Sequence, residues 1–210
     1  LERLDSDLYG AHGFTRKLTL VSAPAGYGKT TLVAEWLITR NQAGKTHGES
    51  PTLVSQERSS SLPPHEPGVA WLSLDADDND PVRFLAYLIA ALQVVDDSLG
   101  KMALFTLQAQ KPPSFEIILT TLINDITSAS TPIMLALDDY HVIDTPPIHR
   151  QLTFLLDHLP PQIHLVILTR EDPLLPIARL RARGQVLEIR QDDLRFSACL
   201  LYTSPSPRDR

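Results

Sequence analysis

Residues 23–31 read Ala-Pro-Ala-Gly-Tyr-Gly-Lys-Thr-Thr, between an apolar segment, residues 18–21, and an amphipathic one, residues 32–39. Backbone N–H groups of such a loop, and the positive end of the helix that follows, converge on nucleotide phosphates. Gly26 and Gly28 suit this role because residues without a Cβ adopt unusual φ/ψ values and let phosphate oxygens approach closely. The run therefore predicts a P-loop that joins a strand to a helix, against the alternative of a chance glycine turn.

The loop departs from the usual pattern G-x-x-x-x-G-K-[ST] only at its first position, which is Ala23. We interpret Ala23 as a tolerated variant, because this position needs a small side chain more than it needs a positive φ. Lys29 is expected to place its ammonium against the β/γ-phosphates, and the Thr30 hydroxyl is expected to ligate Mg²⁺. The predicted nucleotide-binding residues are Ala25, Gly26, Tyr27, Gly28, Lys29, Thr30 and Thr31. For Tyr27, a position over the nucleotide and an exposed loop side chain both remain open.

Composition excludes several classes of protein. The net charge of −6 over 210 residues argues against general nucleic-acid binding, which requires concentrated Lys and Arg. Cys199 is the only cysteine, so no intrachain disulfide or thiolate zinc site is expected, and a reducing, cytoplasmic location is predicted. The longest apolar stretch, residues 84–95, falls short of the roughly 20 residues that span a bilayer, so it is interpreted as a core helix.

Strand and helix patterns alternate along the chain. Strands are predicted at residues 17–22, 69–74, 132–137, 163–168 and 186–189, and helices at 29–40, 81–93, after Ser114, 148–159 and 175–183. This alternation implies an α/β three-layer sandwich with a mainly parallel sheet. Residues 1–197 are interpreted as the core, residues 41–68 as a flexible polar insertion, and residues 198–210 as a non-native or disordered tail.

Two carboxylates follow the apolar run 133–137. Asp138 and Asp139 lie where open α/β sheets bind ligands, at the carboxyl end of a buried strand. Asp138 has the Walker B position and is expected to act on the Mg²⁺ shell together with Thr30. Asp139 is then placed to orient or deprotonate an attacking water. The alternative is a pair of solvated acids. No second His or Cys stands near His141 at metal-ligand spacing, so no metal other than Mg²⁺ is predicted.

A third polar site follows residues 163–168. In P-loop ATPases with an extra strand between the two Walker strands, the strand beside the P-loop strand commonly ends in a phosphate-sensing group. Either Thr169 or Arg170 fits this role, and a guanidinium matches phosphate oxygens bidentately. A helix-capping or surface ion-pair role for Arg170 stays open. The candidate catalytic residues are therefore Asp139 and Arg170. Trp36 and Trp71 are interpreted as core residues.

Together these motifs resemble the NB-ARC/AAA-like ATPase domain of MalT-like regulators, which are LuxR-type bacterial transcription activators of the STAND class. The resemblance covers about residues 1–197 and rests on residues 17–31, 71–75, 137–141, 169–173 and 193–196. It implies an ADP-bound resting state and an ATP-bound, self-associating active state that slow hydrolysis resets. By position, the resemblance implies that Asp138 serves Mg²⁺, Asp139 aids hydrolysis and Arg170 senses the nucleotide. The residues that it implies for phosphate binding are Gly26, Gly28, Lys29, Thr30 and Thr31.

The resemblance also implies what the chain does not contain. Proteins of that family continue with a winged-helix segment, a helical-repeat sensor and a C-terminal helix-turn-helix, so DNA would be bound only by that missing segment. The main hypothesis is a regulatory ATP switch with slow ATPase activity. The alternative is an AAA-like ATP-hydrolysing motor or remodelling ATPase. The preference for ATP over GTP rests on the resemblance alone.

Overall fold

A computed structural model describes residues 9–10, 13–43 and 67–194 of the chain. The predicted tail, residues 198–210, lies outside the described residues, as does the predicted insertion apart from its two ends. Among the described residues, no helix combines the length and apolar content needed to cross a membrane.

Strands and helices alternate along the described chain as the sequence predicts. The strands are β1 (Tyr9–Gly10), β2 (Gly13–Phe14), β3 (Leu18–Ser22), β4 (Gly68–Ser73), β5 (Ile133–Asp138), β6 (Ile163–Thr169) and β7 (Val186–Arg190). The helices are α1 (Lys29–Ala43), α2 (Pro81–Gln93), α3 (Lys101–Leu107), α4 (Phe115–Thr127), α5 (Pro146–His158) and α6 (Ile177–Ala182). Short 3-10 turns lie at Ala76–Asn79 and Tyr140–Val142.

The central sheet has five strands in the order β4-β5-β6-β3-β7, and every neighbouring pair is parallel. Strand β6 therefore separates the P-loop strand β3 from the Walker B strand β5, as in P-loop ATPases with an extra strand between the two Walker strands. Strands β1 and β2 form a separate antiparallel pair. The predicted α/β class with a mainly parallel sheet is confirmed.

Side chains of each strand alternate between two cores, one on each face of the sheet. In β5, Ile133, Leu135 and Leu137 belong to the larger core, which helices α2 to α5 cover. Met134 and Ala136 belong to the smaller core, where they pack with residues of α1. Because side chains alternate with a period of two, Asp138 continues the series on the α1 face. The register of β5 thus decides which helix the Walker B carboxylate meets.

Element boundaries differ from the predictions in a few places. Helix α1 runs to Ala43 and β4 begins at Gly68, so both ends of the predicted insertion belong to regular structure. Helix α3 was not predicted, because its first turn carries no capping side chain and it follows Gly100, whose φ is +66°. The last predicted helix is shorter than residues 175–183, since α6 spans only Ile177–Ala182.

Helix starts show how local sequence sets the elements. The Asp80 carboxylate accepts hydrogen bonds from the backbone N–H groups of Val82 and Arg83, and Pro81 occupies the first helical position of α2. Ser114 stands at the start of α4, but its hydroxyl makes no capping bond. Trp36 is buried between α1 and the sheet, whereas Trp71 is only half-buried, so the core interpretation holds fully for Trp36 alone.

Candidate functional site

The loop between β3 and α1 has the backbone that a phosphate cradle needs. Gly26 and Gly28 have φ values of +83° and +71°, in the left-handed region that favours glycine. A Cβ added at either position would meet no atom within 4 Å, so the loop is open there. Ala23 is buried, and its φ is not positive. Among the described non-glycine residues, only Asp139 has a positive φ. The backbone at Ala23 therefore does not require glycine, and the interpretation of Ala23 as a tolerated variant stays a prediction.

The ammonium of Lys29 lies inside this loop. Its Nζ donates hydrogen bonds to the carbonyl oxygens of Ala23 and Pro24, at 2.8 and 3.0 Å. Burial lowers the pKa of Lys29, and the charge of Arg170 lowers it further, while Asp139 and Asp138 raise it. The Lys29 side chain is thus held at the loop by two of the loop's own carbonyl groups.

Thr30 and Asp138 are brought together although 108 positions separate them. The Thr30 Oγ1 hydroxyl donates to the Asp138 carboxylate, with Oγ1 3.0 Å from Oδ2 and 3.3 Å from Oδ1. Thr30 lies in the first turn of α1 and Asp138 lies on the α1 face of β5, which is why the two meet. Asp138 is 6% exposed. These two oxygen-bearing side chains are the pair that the sequence predicts for Mg²⁺.

Asp139 occupies the sharp turn after β5. Its φ of 55° and ψ of 36° are left-handed, which Asp tolerates better than most residues, and its backbone N–H donates to Asp138 Oδ1 at 2.9 Å. The Asp139 side chain is about half exposed, and its Oδ1 lies 3.6 Å from Nδ1 of His141. Burial, followed by the charge of Arg170, lowers the pKa of His141. Asp139 therefore lines the pocket beside an imidazole whose charged form is disfavoured.

Thr169 and Arg170 point in different directions. The Thr169 Oγ1 hydroxyl is buried and donates to the backbone carbonyl of Glu171 at 2.8 Å, so it is engaged in the turn that follows β6. By alternation from Val166 and Leu168 in the smaller core, Arg170 falls on the α1 face. Of the two predicted phosphate sensors, the structure brings Arg170 to the loop.

An open pocket of about 270 Å³ unites most of these groups. It is lined by Ala25, Gly26, Gly28, Lys29, Thr30, Thr31, Asp139 and Arg170. Tyr27 does not line it; its phenol oxygen instead accepts a hydrogen bond from Nε2 of Gln191 at 3.0 Å. This half-buried position does not fit the interpretation of Tyr27 as an exposed loop side chain, and a position over the nucleotide stays a prediction. Asp138 lies buried beside Thr30 rather than on the pocket wall.

The residues present fit a magnesium nucleotide. Hydroxyl and carboxylate oxygens, here Thr30 and Asp138, are ligands that Mg²⁺ prefers. The left-handed glycines and the Lys29 ammonium suit phosphate oxygens, for which the loop leaves open space. No cluster of three or more His, Cys, Asp or Glu side chains able to hold another metal occurs in the described ranges.

Sequence reasoning missed one contact of the loop. Gln191 follows β7 and contacts Tyr27 across 164 positions, and no local pattern marks such a pair. His141 follows the acidic pair in the sequence, but its sequence context predicts no role for it. Its contact with Asp139 arises from the left-handed turn, which the sequence does not signal.

The loop, the acidic strand end and the strand order define a P-loop NTPase fold. No protein-family profile matches the chain. Over 198 residues it is 38% identical to the HTH-type transcriptional regulator MalT of Cronobacter sakazakii, a match that covers 93% of this chain. This similarity confirms the resemblance to MalT-like regulators that the sequence motifs carry. The chain spans 19% of the length of that regulator.

A solved structure supports the fold class independently. Cdc6p from Pyrobaculum aerophilum matches with a TM-score of 0.51 at 17% sequence identity, over 89% of this chain and 43% of that one. At this identity the match speaks for the shared architecture alone. P-loop proteins of this architecture generally bind nucleotide with Mg²⁺.

Proposed function

We propose that this chain is the ATP-binding switch domain of a MalT-like transcriptional regulator. ATP binding would drive activation, and slow hydrolysis to ADP would reset the switch. The observation that carries this proposal is the hydrogen bond from Thr30 to Asp138, next to a lysine held inside a left-handed glycine loop. In that arrangement the two expected Mg²⁺ ligands lie next to each other. The Lys29 ammonium and the glycine backbone line the same pocket.

Each residue of the pocket would have a separate role. The loop N–H groups from Ala25 to Thr31 and the Lys29 ammonium would bind phosphates, and Thr30 and Asp138 would hold Mg²⁺. When bound, Mg²⁺ neutralises phosphate charge. Asp139, which is half exposed on the pocket wall, would orient or deprotonate a water.

Arg170 would distinguish ATP from ADP. It lines the same pocket as the loop, on the turn after β6, and would there contact the γ-phosphate, which ADP lacks. A ligand shifts a conformational equilibrium only through interactions that differ between the states. Contact between Arg170 and the γ-phosphate would supply that difference.

The rate of ATP hydrolysis distinguishes a regulatory switch from an AAA-like motor. Calorimetric titration of the chain with ATP and ADP in Mg²⁺ should show binding of both, and a phosphate-release assay should show slow hydrolysis. Asp139→Asn should keep ATP binding and lose the remaining hydrolysis. Absence of nucleotide binding would refute the proposal, and rapid multiple turnover would favour the motor.

Other properties of the full regulator are also proposals. Self-association in the ATP state, a cytoplasmic location and DNA binding through a C-terminal helix-turn-helix would follow from the similarity to MalT, which is named as an HTH-type regulator. Sedimentation of the full-length protein with ATP and with ADP tests the first of these. A sedimentation coefficient that is the same with both nucleotides would refute nucleotide-controlled assembly.

A further inference from the structure

Two consecutive residues at the end of β7 contact both segments that face the pocket. The Arg190 guanidinium pairs with the Asp172 carboxylate, in the turn that also carries Arg170. The next residue, Gln191, donates from Nε2 to the phenol oxygen of Tyr27 in the P-loop, at 3.0 Å. We call Arg190 and Gln191 the β7 clip.

Strand register places the clip. Arg190 lies opposite Ser22 of β3, and Ser22 lies opposite Thr169 of β6, so the ends of three strands form one row. The P-loop begins directly after Ser22, and the Arg170 turn begins directly after Thr169. Arg190 therefore lies beside the residues at which both pocket segments begin.

Alternation along β7 sends the two clip side chains in different directions. Leu187 and Ile189 pack against the smaller core on the α1 face, and Gln191 continues that series toward the P-loop. Glu188 and Arg190 face the other way, where Arg190 reaches past the end of β3 to Asp172. One strand end thus holds one pocket segment from each face of the sheet.

The ionic half of the clip is part of a network. Arg190 also pairs with Glu188, whose Oε1 accepts from Nε of Arg181 at 2.6 Å. The hydrogen bond from Arg181, with that from Arg190, lowers the pKa of Glu188 to about 2. Several linked charges hold their geometry better than an isolated surface pair. The network therefore fixes the Arg190 side chain toward Asp172.

The clip also begins the chain that follows the sheet. The Arg190 backbone N–H donates to Asp193 Oδ2 at 2.9 Å, and Leu194 packs against the smaller core. A movement of the P-loop or of the Arg170 turn would thus change the position of the segment that follows β7.

We propose that Arg190 and Gln191 are positioning residues that hold the P-loop and the Arg170 turn in register with each other and couple both to the segment after β7. The claim that these contacts couple the segment after β7 to the bound nucleotide rests on the proposed function. The claim that they hold the P-loop and the Arg170 turn in place does not. The two parts are tested by different measurements.

Hydrogen exchange on the nucleotide-free chain tests the holding. Tyr27→Phe and Gln191→Met remove the polar bond with little change in volume, and Arg190→Met removes the ion pairs. We expect faster amide exchange in residues 23–28 for the first two variants and in residues 170–172 for the third. Arg179→Met is the matched control, because Arg179 pairs with Asp157 rather than with a pocket segment. Unchanged exchange in both pocket segments would overturn the proposal, whether or not nucleotide binds.

Nucleotide affinity tests the coupling. A neutral hydrogen bond corresponds to roughly a 2- to 12-fold change in an equilibrium constant, so Tyr27→Phe and Gln191→Met should each weaken ADP affinity within that range. The double variant should bind ADP no more weakly than either single variant, because the two substitutions remove the same hydrogen bond.

The ATP-to-ADP affinity ratio separates coupling from general stability. Arg190→Met should lower this ratio, because Asp172 lies in the turn of Arg170, whereas Arg179→Met should leave it unchanged. A loss of folding stability with an unchanged ratio would overturn the coupling. If the parent chain binds neither nucleotide, the proposed function fails and the coupling with it, while the exchange result still decides the holding.

Discussion

Replacing Lys29 with Met provides a sharp test of the phosphate site, because the chain contains a matched lysine. Lys29 and Lys17 stand near opposite ends of β3, and the Nζ of each donates to two backbone carbonyls. The acceptors are Ala23 and Pro24 for Lys29, at 2.8 and 3.0 Å, and Leu156 and Asp157 for Lys17, both at 2.9 Å. Burial lowers the pKa of both lysines. The two differ in burial, since Lys29 is buried and Lys17 is half-buried, and in position, since Lys29 lines the pocket and Lys17 does not.

The expected magnitude follows from the contact that Lys29 would make with phosphate. A hydrogen bond to a charged group contributes about 1.5–3 kcal/mol, which corresponds to roughly a 10- to 150-fold change in affinity. Lys29 is already buried and held by the loop, so little side-chain entropy is lost when it binds. We expect Lys29→Met to weaken ADP binding by roughly 10- to 150-fold and Lys17→Met to leave it within about 2-fold.

Isothermal titration with ADP and Mg²⁺, together with urea unfolding of each variant, makes the comparison. Both substitutions remove two carbonyl hydrogen bonds, so they should lower the free energy of unfolding by similar amounts. Only Lys29→Met should lower affinity. Equal ADP affinities in the two variants, or a larger loss in Lys17→Met, would refute the assignment of Lys29 to the phosphates.

Three further predictions concern the metal, the α1 packing and acid stability. Asp138→Asn should abolish the gain in nucleotide affinity that Mg²⁺ gives and leave affinity in EDTA unchanged, as titrations with and without Mg²⁺ would show. Trp36→Ala should cost about 3–5 kcal/mol in urea unfolding because the side chain is 1% exposed, and Trp71→Ala, at a half-buried site, should cost less. Since hydrogen bonding from Arg181 lowers the pKa of Glu188 from 4.5 to about 2, its contribution to stability is present above pH 4.5 and lost as pH falls toward 2. Glu188→Gln should therefore reduce the loss of melting temperature across that interval, and an unchanged pH profile would contradict the assignment.

Much of the fold could be predicted because its signals are local. The apolar runs that become β3, β5 and β6 are bounded by polar residues within the chain itself, and Asp80 with Pro81 marks the start of α2. Helix α3, between α2 and α4, was less predictable. Helix α3 follows a left-handed glycine and has no side-chain cap, so its formation depends on burying Ala103 and Leu107 against neighbouring helices.

The site could be predicted only in part. The P-loop and the acidic pair are motifs whose residues lie next to each other in sequence, so their chemistry is visible without coordinates. Thr169 and Arg170 could not be separated, because only the alternation of β6 between two cores shows which of them faces α1. The contact of Asp139 with His141 depends on a left-handed residue after β5, and such strain leaves no local signature.

Residue types and their short-range spacing therefore account for the elements, the loop chemistry and the candidate ligands Lys29, Thr30 and Asp138. The pairing of strands across more than a hundred positions accounts for the rest: it brings Thr30 to Asp138, turns Arg170 toward the loop, and sets Arg190 and Gln191 against both pocket segments. The physical reason is range. Helix capping, turns and apolar periodicity act within a few residues, whereas sheet register arises from packing the whole core at once, and it determines which distant side chains meet.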